Sequence, residues 1–129
     1  MAKNEQILIK PLVEGLKPIT QDGIGEWYDL RSAYTVGLKA GDWRKLRLGI
    51  EIWLPDNCEA MIVPRPSTGE KWGIVMTNSP LIINNSNHKE LEIEVYALRD
   101  TTIYKNDKIC QMKVGFCQYD FGLKMLDYN

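Results

Sequence analysis

The sequence predicts an all-β protein, a sandwich, jelly roll or small barrel, and three observations carry that expectation. Apolar residues recur with period two, short β-rich runs alternate with turn-forming residues at roughly even spacing, and no stretch shows an apolar stripe of helical period. The alternation is clearest over residues 45–54: Leu46, Leu48, Ile50, Ile52 and Leu54 are apolar, with Lys45, Arg47, Gly49, Glu51 and Trp53 between them. Successive side chains of a strand point to opposite faces, so this pattern reads as one half-buried strand. Residues 90–97 repeat it, with Leu91, Ile93, Val95 and Ala97 set against Glu90, Glu92 and Glu94. Shorter β-rich runs occupy 7–12, 60–63, 73–77, 81–83, 101–104 and 109–114. Lys39-Ala-Gly-Asp, Pro55-Asp-Asn and Lys105-Asn-Asp are turn sequences, because Gly, Asn and Asp take up tight backbone conformations at low cost. Eight or so strands at this spacing form one domain over 1–129. Residues 114–129 are less patterned and read either as a final strand or as an arm exchanged between subunits.

Composition narrows the function classes. Sixteen basic side chains against 17 acidic ones leave a formal charge of −1, which removes the general electrostatic argument for binding duplex nucleic acid or an anionic membrane. A local basic cluster remains able to hold the phosphates of a small anion. The chain has 3 cysteines, Cys58, Cys110 and Cys117, and 1 histidine, His88. An odd number of scattered cysteines argues against a secreted disulfide framework, and without C-x-x-C a zinc site would need carboxylates for most of its ligands. No run approaches the roughly 18 apolar residues of a membrane-spanning helix, so the expected setting is the reducing cytoplasm.

Five segments carry chemistry, in one order along the chain. They read Gly25-Glu-Trp-Tyr-Asp-Leu-Arg-Ser-Ala33, Val63-Pro-Arg-Pro-Ser-Thr-Gly-Glu-Lys-Trp-Gly-Ile74, Thr77-Asn-Ser-Pro-Leu-Ile-Ile-Asn84, Ala97-Leu-Arg-Asp100 and Asn106-Asp-Lys-Ile-Cys-Gln-Met112. Over 25–112 the series resembles the homotrimeric dUTPase family, most closely its phage and prophage type. The resemblance implies a β-clip or distorted jelly roll, a homotrimer, and sites assembled from neighbouring subunits. It places Asp29 on the metal and triphosphate side and Arg65 against phosphates at a subunit boundary, a role that suits the fixed fork of guanidinium donors. Ser67, Thr68 and Gly69 form a short turn able to aim hydroxyls and N–H groups at an anion, with Lys71 and Gln111 beside the phosphates. Pro66 stands where the family usually has serine, which removes a hydroxyl and an N–H donor. Without the resemblance these residues read more plainly: Asp29 as a turn aspartate, Arg65 as a surface arginine, Lys71 as a solvated lysine and Gln111 as an exposed strand residue.

The third segment departs most from the family. Active relatives carry a hairpin in which a glycine, a water-activating aspartate, a tyrosine under the deoxyribose and a second glycine follow a conserved asparagine. Asn78 matches that asparagine, but the same register puts Leu81, Asn84, Asn87 and Lys89 at the other positions. The base and sugar pocket implied by the match comprises Asn78, Ile83, Asn84, Asn87 and His88, although on its own chemistry a lone His88 with no carboxylate partner in view reads first as a surface histidine on a β-turn. Between Glu70 and Glu90 the chain has no Asp or Glu, so no small shift restores a base within the hairpin. Losing a positioned general base costs roughly 10²- to 10⁴-fold in rate. The family's glycine-rich C-terminal lid also has no counterpart beyond Phe121-Gly-Leu. These departures imply a catalytically inactive, phage-encoded protein that binds or sequesters a nucleotide or phosphorylated nucleoside at its trimer interfaces. Two alternatives remain: an interaction module for a host protein, and an active dUTP diphosphatase with rearranged catalytic groups. No metal held directly by protein is expected, and Mg²⁺ only alongside a bound triphosphate.

Overall fold

The computed structural model describes residues 6–19, 27–85, 88–116 and 122–128. Among them are eleven strands and one short helix, so the all-β expectation holds. A four-stranded antiparallel sheet runs in the order β2 (Tyr28–Arg31), β11 (Lys108–Phe116), β6 (Cys58–Pro64), β8 (Leu81–Asn84). A three-stranded antiparallel sheet runs β4 (Trp43–Arg47), β9 (Glu92–Ala97), β7 (Ile74–Met76). Two antiparallel pairs complete the fold: β1 (Leu8–Pro11) with β5 (Ile50–Trp53), and β10 (Thr101–Ile103) with β3 (Val36–Leu38).

The sequence pattern marks the core correctly. Leu30, Ile62, Ile83, Cys110 and Met112 face inward from the larger sheet, and Leu46, Ile74, Ile93 and Val95 from the smaller. The expected single strand over 45–54 is two strands. Its apolar positions are all buried, but the chain breaks at Gly49, which has φ +70°, and there it leaves β9 to pair with β1. Only glycine fits that point: a Cβ on Gly49 would lie 2.8 Å from the Ala33 Cβ. The expected turns at Gly41, Asn57 and Asn106 all carry positive φ. Sequence reading missed β2 and β3, and also α1 (Thr68–Trp72), whose five residues are too few to show a helical stripe.

Because side chains alternate across a strand, the registers define the outward face of the larger sheet. Asp29, Gln111 and Val63 share one row, Lys113, Met61 and Ile82 the next, and Gly115, Glu59 and Asn84 a third. On the outward face of the smaller sheet Trp43, Tyr96 and Val75 form a single exposed row. Of the segment read as a strand or an arm, 114–116 complete β11 and 122–128 are exposed, while Cys117, Phe121 and Asn129 lie outside the described residues. Among the described residues no helix is long and apolar enough to cross a membrane.

Candidate functional site

The site begins at the turn that leaves β6. Thr68, one of the expected anion contacts, is buried, and its hydroxyl is used twice within the fold. It accepts from the Arg65 N–H at 2.9 Å and donates to the Ile109 carbonyl at 3.0 Å, pinning the turn to β11. Thr68 therefore shapes the turn and does not face outward. The backbone closes around it, Thr68 N–H donating to Arg65 O at 3.0 Å and Lys71 N–H to Ser67 O at 2.9 Å. Residues four apart on a helical turn stand on one side, so the exposed Ser67 and Lys71 side chains project together. The Lys71 ammonium lies 4.7 Å from the centroid of the buried Trp72 ring, a cation–π contact that steadies a long side chain.

Behind this turn stands an ion pair. Asp29 lies within β2, not in a turn as its plain reading had it, and it is nearly inaccessible to solvent. Its carboxylate receives the Arg65 Nε at 3.0 Å, with the Lys108 ammonium at 3.9 Å, and Arg65 Nη1 also donates to the Lys108 carbonyl at 3.2 Å. Arg65 is thus oriented by the protein itself, as a preorganised guanidinium must be. Gln111 sits directly beside Asp29 across the ladder and donates to the Pro64 carbonyl at 3.4 Å. Asp29, Arg65 and Gln111 thus stand together where β2, β11 and β6 meet, with Ser67 and Lys71 exposed on the turn that follows Arg65. Beneath them the Cys110 thiol is raised well above its ordinary pKa, first by burial and then by the negative Asp29, so it is no nucleophile at neutral pH.

Among the described residues the expected hairpin is not a paired one, since β8 pairs with β6 and β9 with β4 and β7; its segment forms a second, separate group. The Asn78 side-chain oxygen accepts from the Glu94 N–H at 2.9 Å, tying the hairpin's base to β9. Ile83 points into the core, so its contribution to any pocket is through the backbone. Asn84 is exposed at the end of β8, and the following Asn85 donates to Asp56 at 3.0 Å. His88 stacks on Trp53 with ring centroids 5.0 Å apart, turning it towards β5. Asn87 lies outside the described residues.

The two groups do not meet within one chain. From the Gln111 row to the Asn84 row is four residues along β6, about 13 Å, and two strands across, about 10 Å. A site using both would draw them from different copies. Among the described residues no three His, Cys, Asp or Glu side chains are grouped to hold a metal ion, and the Asp29 carboxylate faces Arg65 and Lys108. Sequence reading missed three participants. Lys108 and Arg99 lie inside two of the five motif segments without a role that the motif assigns them, and Glu59 is 25 residues from Asn84 in the chain yet faces it across the β6–β8 ladder.

Comparison with known proteins agrees with this architecture. The dUTPase family model matches residues 21–124. The SPbeta prophage-derived deoxyuridine 5'-triphosphate nucleotidohydrolase YosS of Bacillus subtilis (strain 168) is 39% identical over 112 residues, covering 84% of this chain and 79% of that protein. The deoxyuridine 5'-triphosphate nucleotidohydrolase of Maricaulis maris (strain MCS10) is 30% identical over 118 residues, covering 84% and 78%. Among solved structures, a point mutant of the dUTPase from phage phi11 of S. aureus superposes with a TM-score of 0.80 at 15% identity, covering 95% of this chain and 97% of that one. The Staphylococcus bacteriophage 80alpha dUTPase gives 0.79 at 15% identity, with coverage of 96% and 98%. At that identity the superpositions speak for the fold, while the family match and the curated relatives speak for descent: the chain is a member of the dUTPase family, of the phage type.

Proposed function

We propose that this protein binds the phosphates of a nucleotide at the interfaces of a homotrimer and does not cleave it. The observation that carries the reading is an asymmetry. The Asp29–Arg65 pair and the turn that carries Ser67 and Lys71 are retained and braced from within the chain, with Pro66 the one departure, whereas the position of the family's water-activating aspartate holds Asn84, an amide that cannot take a proton from water. The wide spacing between patch and hairpin supports assembly from neighbouring copies. A divalent cation such as Mg²⁺ belongs on the triphosphate, supplying charge neutralisation there. The cytoplasm, where nucleotides are plentiful, is the setting. Isothermal calorimetry over dUTP, dUMP, other nucleotides and cyclic dinucleotides tests the proposal, and absence of binding at millimolar ligand overturns it.

A second reading, retained hydrolysis, is favoured by one observation and by the activity in the names of the curated relatives. Glu59 is the direct cross-strand partner of Asn84 on the same face, and such partners have Cβ atoms about 5 Å apart. Its longer side chain brings a carboxylate near the place of the lost aspartate. In this reading water adds to the α-phosphorus, its proton passes to Glu59, and the bond to the bridging oxygen breaks to release pyrophosphate. The assay is dUMP release from dUTP with Mg²⁺. A rate above buffer that Glu59→Gln removes supports the second reading, and a rate equal to buffer removes it.

A further inference from the structure

We infer that Arg99, which follows β9 and lies outside the phosphate patch, is the positioning residue that fixes how the patch presents Ser67 and Lys71. The inference rests on the phosphate-binding reading above and deepens it. The turn needs anchoring at both ends. Thr68 anchors the start, and at the other end a five-residue helix leaves its last carbonyls without intrahelical partners. Arg99 Nη2 donates to two of them, Glu70 O at 2.8 Å and Lys71 O at 3.0 Å. Its stem lies against Gly73, the left-handed residue that ends the helix: a Cβ there would sit 2.8 Å from Arg99 Cγ and 2.9 Å from Nε. The Leu98 N–H donating to Gly73 O at 2.8 Å completes the clamp.

This geometry has a chemical consequence. A cationic side chain on the C-terminal carbonyls neutralises partial negative charge directly behind Lys71, and one terminal nitrogen, Nη2, shared between two successive carbonyls ties both to the same point and so limits the turn's rotation. The direction in which Lys71 and Ser67 face a phosphate is therefore set by a residue that touches no ligand.

The test is calorimetry with inorganic triphosphate and with dUTP, on wild type, Arg99→Gln, Arg99→Lys and Gly73→Ala, beside a thermal melt of each. Arg99→Gln is expected to weaken both probes by the same factor, about tenfold, the scale of a lost charge-assisted hydrogen bond. Arg99→Lys should recover part of that loss. Gly73→Ala displaces Arg99 from the other side and should weaken binding in parallel, so the inference stays testable if one variant folds poorly. Wild-type binding that is unchanged in both Arg99→Gln and Gly73→Ala overturns the role of Arg99. A melting temperature that falls in Arg99→Gln and Arg99→Lys alike, with no recovery of affinity by lysine, also overturns it, showing a purely structural residue. Failure of wild type itself to bind either probe instead overturns the phosphate-binding reading.

Discussion

The turn after β6 and the segment around β8 are alike in being anchored from a distance and differ in the residues they turn outward. Both are tied down by side-chain contacts to distant strands: the turn by Thr68 and Arg99, the hairpin by Asn78, by Asn85 and by His88 on Trp53. By the resemblance, the turn matches the family at Arg65, Ser67 and Lys71 and departs from it at Pro66, while the hairpin segment has Asn84 at the family's Asp position. The difference teaches that the scaffold and its chemistry are separable. β8 stays a strand because Leu81 and Ile83 pack inward, a requirement that places no demand on Asn84, which faces out.

The most severe way to break the comparison is Arg65→Glu. It sets a second carboxylate against nearly buried Asp29, and the loss is expected to reach about 3 kcal/mol of stability together with all triphosphate affinity, read by urea unfolding and calorimetry. The milder Arg65→Gln should fold and still bind poorly. Next comes Asn84→Asp. With the turn intact, restoring the carboxylate is expected to raise dUMP release about a hundredfold above the buffer rate. No rise would show that positions 81, 87 and 89 of the hairpin limit the chemistry as well.

A smaller effect probes the floor under the turn. Cys110 has its pKa raised above the ordinary 9.0, so the unfolded thiol ionises first as pH climbs. The contribution is fully present below pH 9 and is lost above it, at up to about 1.4 kcal/mol per pH unit. Cys110→Ala should flatten that part of the stability profile, read by urea unfolding across pH 8 to 10. The smallest expected effect is that of His88→Ala. Removing the stack on Trp53 should cost about 0.5 kcal/mol, read by urea unfolding.

Much of this was legible in the residues. Period two marked Leu46 to Leu54 and Leu91 to Ala97 as buried alternate positions, because a sheet with one covered face writes that pattern directly. The motifs picked out Arg65 and Lys71 and the altered Asn84. The plain reading of Asp29 missed because its burial depends on Arg65 and Lys108, 36 and 79 residues away, and local sequence does not encode such pairs. Thr68 shows the same dependence: a hydroxyl in a turn reads as an anion contact, while its bond to the Ile109 carbonyl, 41 residues on, has no local signal. Gly49 looked like one more polar-side position in a long strand. Arg99 and Glu59 are set by pairing between segments distant in the chain, which the alternation alone does not specify.

The handover at Gly49 also bears on how the protein comes apart. One continuous segment supplies β4 to the three-stranded sheet and β5 to the β1 pair, while Gly49 N–H donates to Glu90 at 3.1 Å and its carbonyl accepts from Leu12 at 2.8 Å. Neither layer can open without dragging the other through that residue. Amide exchange on β4, β5 and β9 should therefore proceed with one shared opening free energy, so that the layers form a single cooperative unit.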